Sequence, residues 1–512
     1  MHPARLLRIV VLVFLVAACC GTAAAADPQA LSLVRQAVAA QGGEAALRAL
    51  HSVQFEAAGY RDLVEQSERP EGPYVVKFDR IQEVHDLAGH RLRRSVAAQV
   101  ATFPEFTDTL VLAGDVAMHG SADHGFAASS LDRDAAAESL ALSPERLLLT
   151  ALDSPSLRTE PDTVLHHIAQ HVVAFDLDGS PVRIYLNRYT LLPTAMDYSG
   201  PAAHAGYWNY LGDVTLRTWY TFWSLQKGGI HYPLQWNLER NSLPDRMLMI
   251  TKLTFDGALD EAQLTIPPAV RAQAPARASS SDLEALPLGL PKQPAVEVVP
   301  GVIFIPGRWN VTLVRQADGV VVLEAPISSG YSAKVIEEAG RRFPGLPIKA
   351  VITTSDAWPH LAGIREYAAR GIPICALDLD RPILERVIGD RRQSKPDRLA
   401  RAPRPPVLHI VSTRTLLGTG PNRLEIIPLR GATTERQMMV YFPEPRLLYG
   451  SDAFQKDPGD GTYYTPQTVS EVVAAAARER LAVERFFMMH VAPTPWSELQ
   501  GVLDKAQAGQ VR

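Results

Sequence analysis

The stretch AVITTSDAWPHLAG, residues 350–363, decides how the rest of the chain is read. Ala350-Val351-Ile352 is an apolar run of the kind that fills a buried strand. Thr353-Thr354-Ser355-Asp356 then turns polar, and a helix is expected to open near His360. A buried strand that empties into a polar loop makes a platform for chemistry, because a rigid scaffold fixes the loop's side chains. Asp356 and His360 are the groups in this loop able to ligate a metal.

Outward from that stretch, residues 296–512 alternate short apolar strands with helices. Strands are expected at Val296–Val299, Val302–Pro306, Val311–Arg315 and Val320–Glu324, with turns at Pro300-Gly301 and Asp318-Gly319. Tyr331–Arg342 places Val335, Ile336 and Ala339 at helical spacing. Ile372–Leu377, Val407–Val411, Leu424–Pro428, Val440–Phe442, Arg446–Tyr449 and Phe486–His490 read as further strands, interleaved with helices Pro382–Ile388 and Val469–Leu481. Two strand-rich halves, each flanked by helices, predict an αββα sandwich. Cys375, inside an apolar run, is expected to be a buried strand residue.

This order resembles the metallo-β-lactamase superfamily over most of Val296–Gln510. The family's metal loop reads His-x-His-x-Asp-His-x-x-Gly after a buried strand. On that pattern His360 falls on the last histidine and Gly363 on the glycine, while Ser355, Ala357 and Pro359 replace two histidines and the aspartate. Pro443–Asp452 matches the hairpin that ends in the metal-bridging aspartate, and His490 matches the last histidine ligand. Glu324-Ala325-Pro326 replaces an Asp-x-Gly turn, and Gly431-Ala432 stands where the family has Gly-His.

The resemblance implies that one metal site, at Ser355, Ala357 and Ala432, is erased. The other keeps His360, Asp452 and His490, with Asp356 a candidate for the carboxylate lost at Pro359. Such a 2-His-1-carboxylate set suits one Zn²⁺, Fe²⁺ or Mn²⁺ and leaves room for water. The implied activity is hydrolysis of an ester, amide or thioester. The alternative is a catalytically inactive envelope binding protein that holds a lipid-like ligand or a protein partner, with His360 kept as a structural residue. Trp358 and Trp496 are expected either to cap the pocket or to pack, and Thr353, Thr354, Ser355, Thr433 and Thr434 offer a polar lining.

The first half reads differently. Two short helices around Gly42-Gly43 precede strands at Val53–Ala57, Tyr74–Phe78, Arg91–Val96, Thr109–Leu112, His171–Phe175, Val182–Asn187, Val214–Phe222 and Leu248–Phe255. Many strands with few helices predict an antiparallel half-open β-barrel with helices. The fold class expected for the whole is thus α+β with two domains. Val182–Asn187, Leu192-Pro193, Ile230–Pro233 and Leu264–Pro267 resemble carrier proteins of bacterial lipoprotein sorting, which implies a concave surface for a small-molecule or lipid-like ligand. Trp208, Trp219, Trp223 and Trp236 read either as the lining of an aromatic cavity or, the favoured expectation, as cross-strand pairs of the sheet core. His166, His167 and His171 are expected at exposed strand ends.

The domain boundaries follow: a signal peptide at 1–26, the barrel at 27–266, a proline-rich linker at 267–295 and the sandwich at 296–512. Arg5 and Arg8 ahead of Ile9–Ala18 have the form of a secretory leader. Ala24-Ala25-Ala26 offers a cleavage site for a soluble periplasmic or secreted product. Val16-Ala17-Ala18-Cys19 resembles a lipobox, which would tether the protein to a membrane through Cys19. A net charge of -4 without a basic run argues against nucleic acid as a partner.

Overall fold

The computed structural model describes residues 26–66, 69, 71–101, 103–121, 123–275, 282–456 and 461–509. The leader features through Ala25, Cys19 included, lie outside the described residues. No helix among the described residues is long and apolar enough to cross a membrane.

The protein is a mixed α+β structure with a large antiparallel sheet in its first half. Thirteen strands lie side by side, with Ser52–Asp62 and Leu243–Phe255 adjacent at the middle and Phe126–Ala127 and Arg158–Leu165 at the two edges. Four helices complete its core, one of them the short Glu44–Arg48 with buried Leu47. Pro28–Gln41 starts at a proline, with Asp27 accepting from the Gln29 amide at 2.9 Å. Ser130–Ala141 is capped by Ser129, and Leu147–Asp153 follows it. Their Val34, Val38, Leu140 and Leu148 pack with Val173, Phe175 and Ile184 of the sheet. The last two helices fall in a stretch where composition suggested none.

In the second half a seven-stranded and a six-stranded sheet share one core, where Val302, Val321, Leu323 and Ile352 meet Ile426, Val440, Tyr449 and Phe487. Helices Ser329–Arg342, Ile364–Arg370 and Arg381–Gly389 cover the seven-stranded sheet through Val335, Tyr367 and Leu384. Pro466–Arg478 and Ser497–Gln507 cover the other through Val469, Val472 and Leu499. The parallel strands at the centre, Gly319–Leu323, Ile348–Ile352 and Ile374–Leu377, are covered on both faces, which explains the apolar runs at residues 320–323, 350–352 and 374–377, while Lys349 at a strand start pairs with Asp318. Cys375 is buried among them.

Two expectations need correcting. The proline-rich stretch is not a free spacer in its described parts. Val270 packs with Val111 and Met118, while Leu283 joins the core of the second half. Ser328 and Lys334 donate to the carbonyls of Leu283 and Leu286 at 3.0 and 2.6 Å. Apolar residues set among the prolines hold it down. Trp208, grouped above with the sheet tryptophans, sits instead on a turn at Gly206–Tyr210 and is buried in that same core. Trp219, Trp223 and Trp236 do lie on paired strands, Leu216–Leu225 and His231–Arg240.

Candidate metal centre

Strand register brings the site together. Leu447–Tyr449 and Arg485–Phe487 run parallel with Tyr449 opposite Phe487, so their chains leave the sheet side by side. Asp452 and His490 stand the same three residues beyond those strand ends. The Met489 amide donates to the Ser451 carbonyl at 3.0 Å and locks the two loops together. Ser451 has φ 64°, a left-handed conformation that redirects the chain just before Asp452.

The loop of residues 350–363 meets them from the neighbouring sheet. Ile348–Ile352 ends, and the Thr354 carbonyl accepts from Ser451 Oγ and from the Met438 amide at 2.8 and 2.9 Å. Beneath the loop lies buried Glu324, bonded to Thr354 Oγ1 and, at 2.9 Å, to Tyr449 Oη. Burial raises its pKa above the ordinary value. A short helix, Trp358–Leu361, carries His360, with Pro359 in its first turn. Gly363 is needed for space, because a Cβ there would lie 2.1 Å from Ser332 Oγ and 2.6 Å from the Ser328 carbonyl.

His360 Nε2 lies 3.2 Å from one carboxylate oxygen of Asp452, and His490 Nε2 lies 3.0 Å from the other. One potential ligand atom from each residue falls within 4.8 Å of the others, the one such group among the described residues. The imidazole rings are edge-on, with centroids 5.4 Å apart. Burial works against charge on His360, but the Asp452 carboxylate outweighs it and raises the ring's pKa. Burial likewise works against the Asp452 carboxylate, and the two histidines hold its pKa well below the usual range. His360 Nδ1 is buried without a hydrogen-bond partner.

Three donors from three separate segments, facing a cavity of about 520 Å³, fit a single divalent ion with open coordination positions. Asp356 does not join them. Its buried carboxylate lies 2.5 Å from the Arg436 guanidinium, and burial raises its pKa. Paired with Arg436, Asp356 stands outside the group of three potential ligands. The erased positions carry no ligand: Ser355 Oγ accepts from the Ala357 amide, and Ala432 offers only a methyl group.

The polar lining is partly spent as well. Thr434 and Thr433 hydroxyls bond Glu471 at 2.7 and 3.0 Å. Trp358 is fully buried behind the loop, and Trp496 packs on Phe486. The tryptophan at the cavity is Trp309, whose ring lies 6.1 and 6.3 Å from those of His360 and His490. It sits in a turn after Val302–Ile305, and a lone indole in a Gly-Arg-Trp-Asn loop was the available signal. Sequence reasoning also missed Glu65, Gln66 and Tyr207, which line the cavity from the first half. His166 and His167 occupy a turn between paired strands, and His171 bonds Asp162 at 3.0 Å.

No family profile matches the chain, and no curated protein matches it. The chain is similar to solved structures of metallo-β-lactamases. DIM-1 shares 15% identity, with 42% of this chain and 97% of that chain covered and a TM-score of 0.33. FIM-1 from Pseudomonas aeruginosa, in a mono-zinc form, shares 14% identity, with 45% and 99% covered and a TM-score of 0.33. A stereoselective inverting sec-alkylsulfatase, Pisa1 from Pseudomonas sp., shares 14% identity, with 41% and 40% covered and a TM-score of 0.31.

Proposed function

We propose that the chain is an exported hydrolase that uses one divalent metal ion, held by His360, Asp452 and His490. The observation that carries this reading is one carboxylate set between two imidazole Nε2 atoms at 3.2 and 3.0 Å, at a polar cavity. A bound ion of this class supplies Lewis acidity and makes water nucleophilic at neutral pH. Asp452 orients both rings. The Arg436–Asp356 pair keeps the adjoining wall electrically balanced. Trp309 covers the edges of both imidazoles and limits water there.

The architecture we attach to this function is a metallo-β-lactamase-like αββα sandwich preceded by a half-open sheet domain. Zn²⁺ suits two nitrogens and one carboxylate, with Fe²⁺ and Mn²⁺ as alternatives. Export through residues 1–26, to the periplasm or the medium or to a membrane through Cys19, belongs to the same proposal. So does a small-molecule substrate of the ester, amide or thioester class.

The test is turnover of ester, amide and thioester substrates by the purified chain before and after loading with each ion. Turnover that appears on loading and vanishes with a chelator supports the reading. Uptake of none of the three ions contradicts it and favours an inactive binding protein.

A further inference from the structure

The metal centre is not built by the second half alone. The strand Ser52–Asp62 leads into a short turn, Val64–Gln66, and a second turn, Gly206–Tyr210, follows the strand Pro193–Tyr198. Both reach the cavity that holds His360, Asp452 and His490 and contribute Glu65, Gln66 and Tyr207 to its lining. Gln66 Nε2 donates to Tyr207 Oη at 2.8 Å and ties the two turns together.

Contacts in and beside these turns fix them to the second half, among them a bond from Arg392 to the Tyr210 carbonyl at 3.4 Å. Trp208 meets Trp358 edge to face at 4.7 Å, and Tyr210 meets Trp309 in the same way at 5.5 Å. Arg69 Nε lies 2.9 Å from a Glu435 oxygen. The residues on the wall are therefore held against the centre from both sides, as a recognition surface requires.

We propose that the first half forms the substrate-recognising wall of this centre, with Gln66 and Tyr207 hydrogen-bonding an uncharged polar group of an ester or amide substrate. This rests on the metal-dependent reading above. Because Tyr207 accepts from Gln66, its own hydroxyl hydrogen is left to donate. Burial, with Glu65 and Asp452 nearby, raises the phenol's pKa and keeps it neutral. Glu65, buried beside Gln66, is pushed up to about 7, mainly by desolvation. Two of the fixed charges nearby are paired within the protein, Arg436 with Asp356 and Arg69 with Glu435, while Arg308 stacks on Trp309 at the exposed rim. Gln66 and Tyr207 offer a neutral partner hydrogen bonds without a charge to match, which favours an uncharged group at this part of the wall.

The experiment uses the full chain loaded with Zn²⁺ and two probes, p-nitrophenyl acetate (uncharged) and mono-p-nitrophenyl succinate (anionic). Tyr207→Phe and Gln66→Ala each remove one partner. Both residues reach solvent, so the fold should survive, and a melting curve checks this. The expected result is Zn²⁺ affinity within about twofold of the parent, a KM for the acetate raised about five- to tenfold, and kcat moved less than about twofold. The parent should also prefer the acetate. An unmoved KM in both variants, a preference for the succinate, or turnover of neither ester by the loaded parent overturns the wall and leaves the metal centre standing. A parent that binds no Zn²⁺ overturns both.

Discussion

Trp208, on a turn of the first half, packs its indole edge-on against Trp358, which opens the helix carrying His360, with ring centroids 4.7 Å apart. The pair belongs to a core that also contains Tyr210, Leu211, Ile305 and Val322, so the two halves are welded behind the metal loop. Removing one indole should be felt in both. Trp208→Ala is expected to cost about 3 kcal/mol or more in urea denaturation, the usual range for a large buried aromatic. It should also weaken Zn²⁺ binding, while Trp208→Phe recovers part of each loss. An unchanged midpoint would mean the halves are held together elsewhere.

Asp356 separates a structural carboxylate from a ligand. Because it pairs with Arg436, Asp356→Asn should leave Zn²⁺ affinity within about twofold of the parent. Stability should fall by about 3 kcal/mol, since a buried guanidinium loses one carboxylate that neutralises it. Calorimetry and denaturation read the two effects separately. A tenfold loss of affinity would place Asp356 among the ligands.

A second buried network lies in the first half. His85 sits between Glu145 and Glu83, with Nδ1 and Nε2 at 2.6 and 2.7 Å, and Arg94 also reaches Glu83. Burial opposes charge on His85, but Glu145 and Glu83 raise its pKa to about 9 from 6.5. Burial also opposes charge on Glu83, and Arg94 and His85 hold it at about 2 against 4.5. The histidine's contribution is therefore complete below pH 6.5 and lost as pH rises through about 9. The glutamate's is complete above pH 4.5 and lost as pH falls through about 2. His85→Phe should cost about 3–5 kcal/mol near pH 6, and melting curves should show the gap to the parent closing above pH 9. A gap independent of pH would show that His85 is neutral in the folded protein.

Glu65 runs opposite to Glu83. Its pKa is raised to about 7 from 4.5, so the folded state holds its proton more tightly than the unfolded chain. Stability should fall as pH rises from 4.5 to 7 and level off above that. Glu65→Gln should remove this slope and be more stable than the parent at pH 8, by melting temperature. A slope unchanged in the variant would assign it to another group.

What the sequence disclosed follows from where the signal is local. The apolar run of residues 350–352 was legible because the strand that holds it is covered on both faces, and His360, Asp452 and His490 were legible through the resemblance of their motifs to the metallo-β-lactamase pattern. The direction of the Asp356 side chain was not, since it depends on Arg436, eighty residues away. The helices Ser130–Ala141 and Leu147–Asp153 were missed between strands, although Ser129 is an ordinary N-cap. The wall from Gln66 and Tyr207 had no local mark at all, because it exists only through packing between distant turns.

The most direct measurement is a calorimetric titration of the metal-free chain with Zn²⁺ at pH 7.5, alongside His360→Ala, Asp452→Asn and His490→Ala. One ion should bind per chain, with affinity lowered at least about tenfold in each variant, as loss of a ligand to a three-donor site requires. Binding of no ion, or equal binding by the parent and all three variants, would contradict the account.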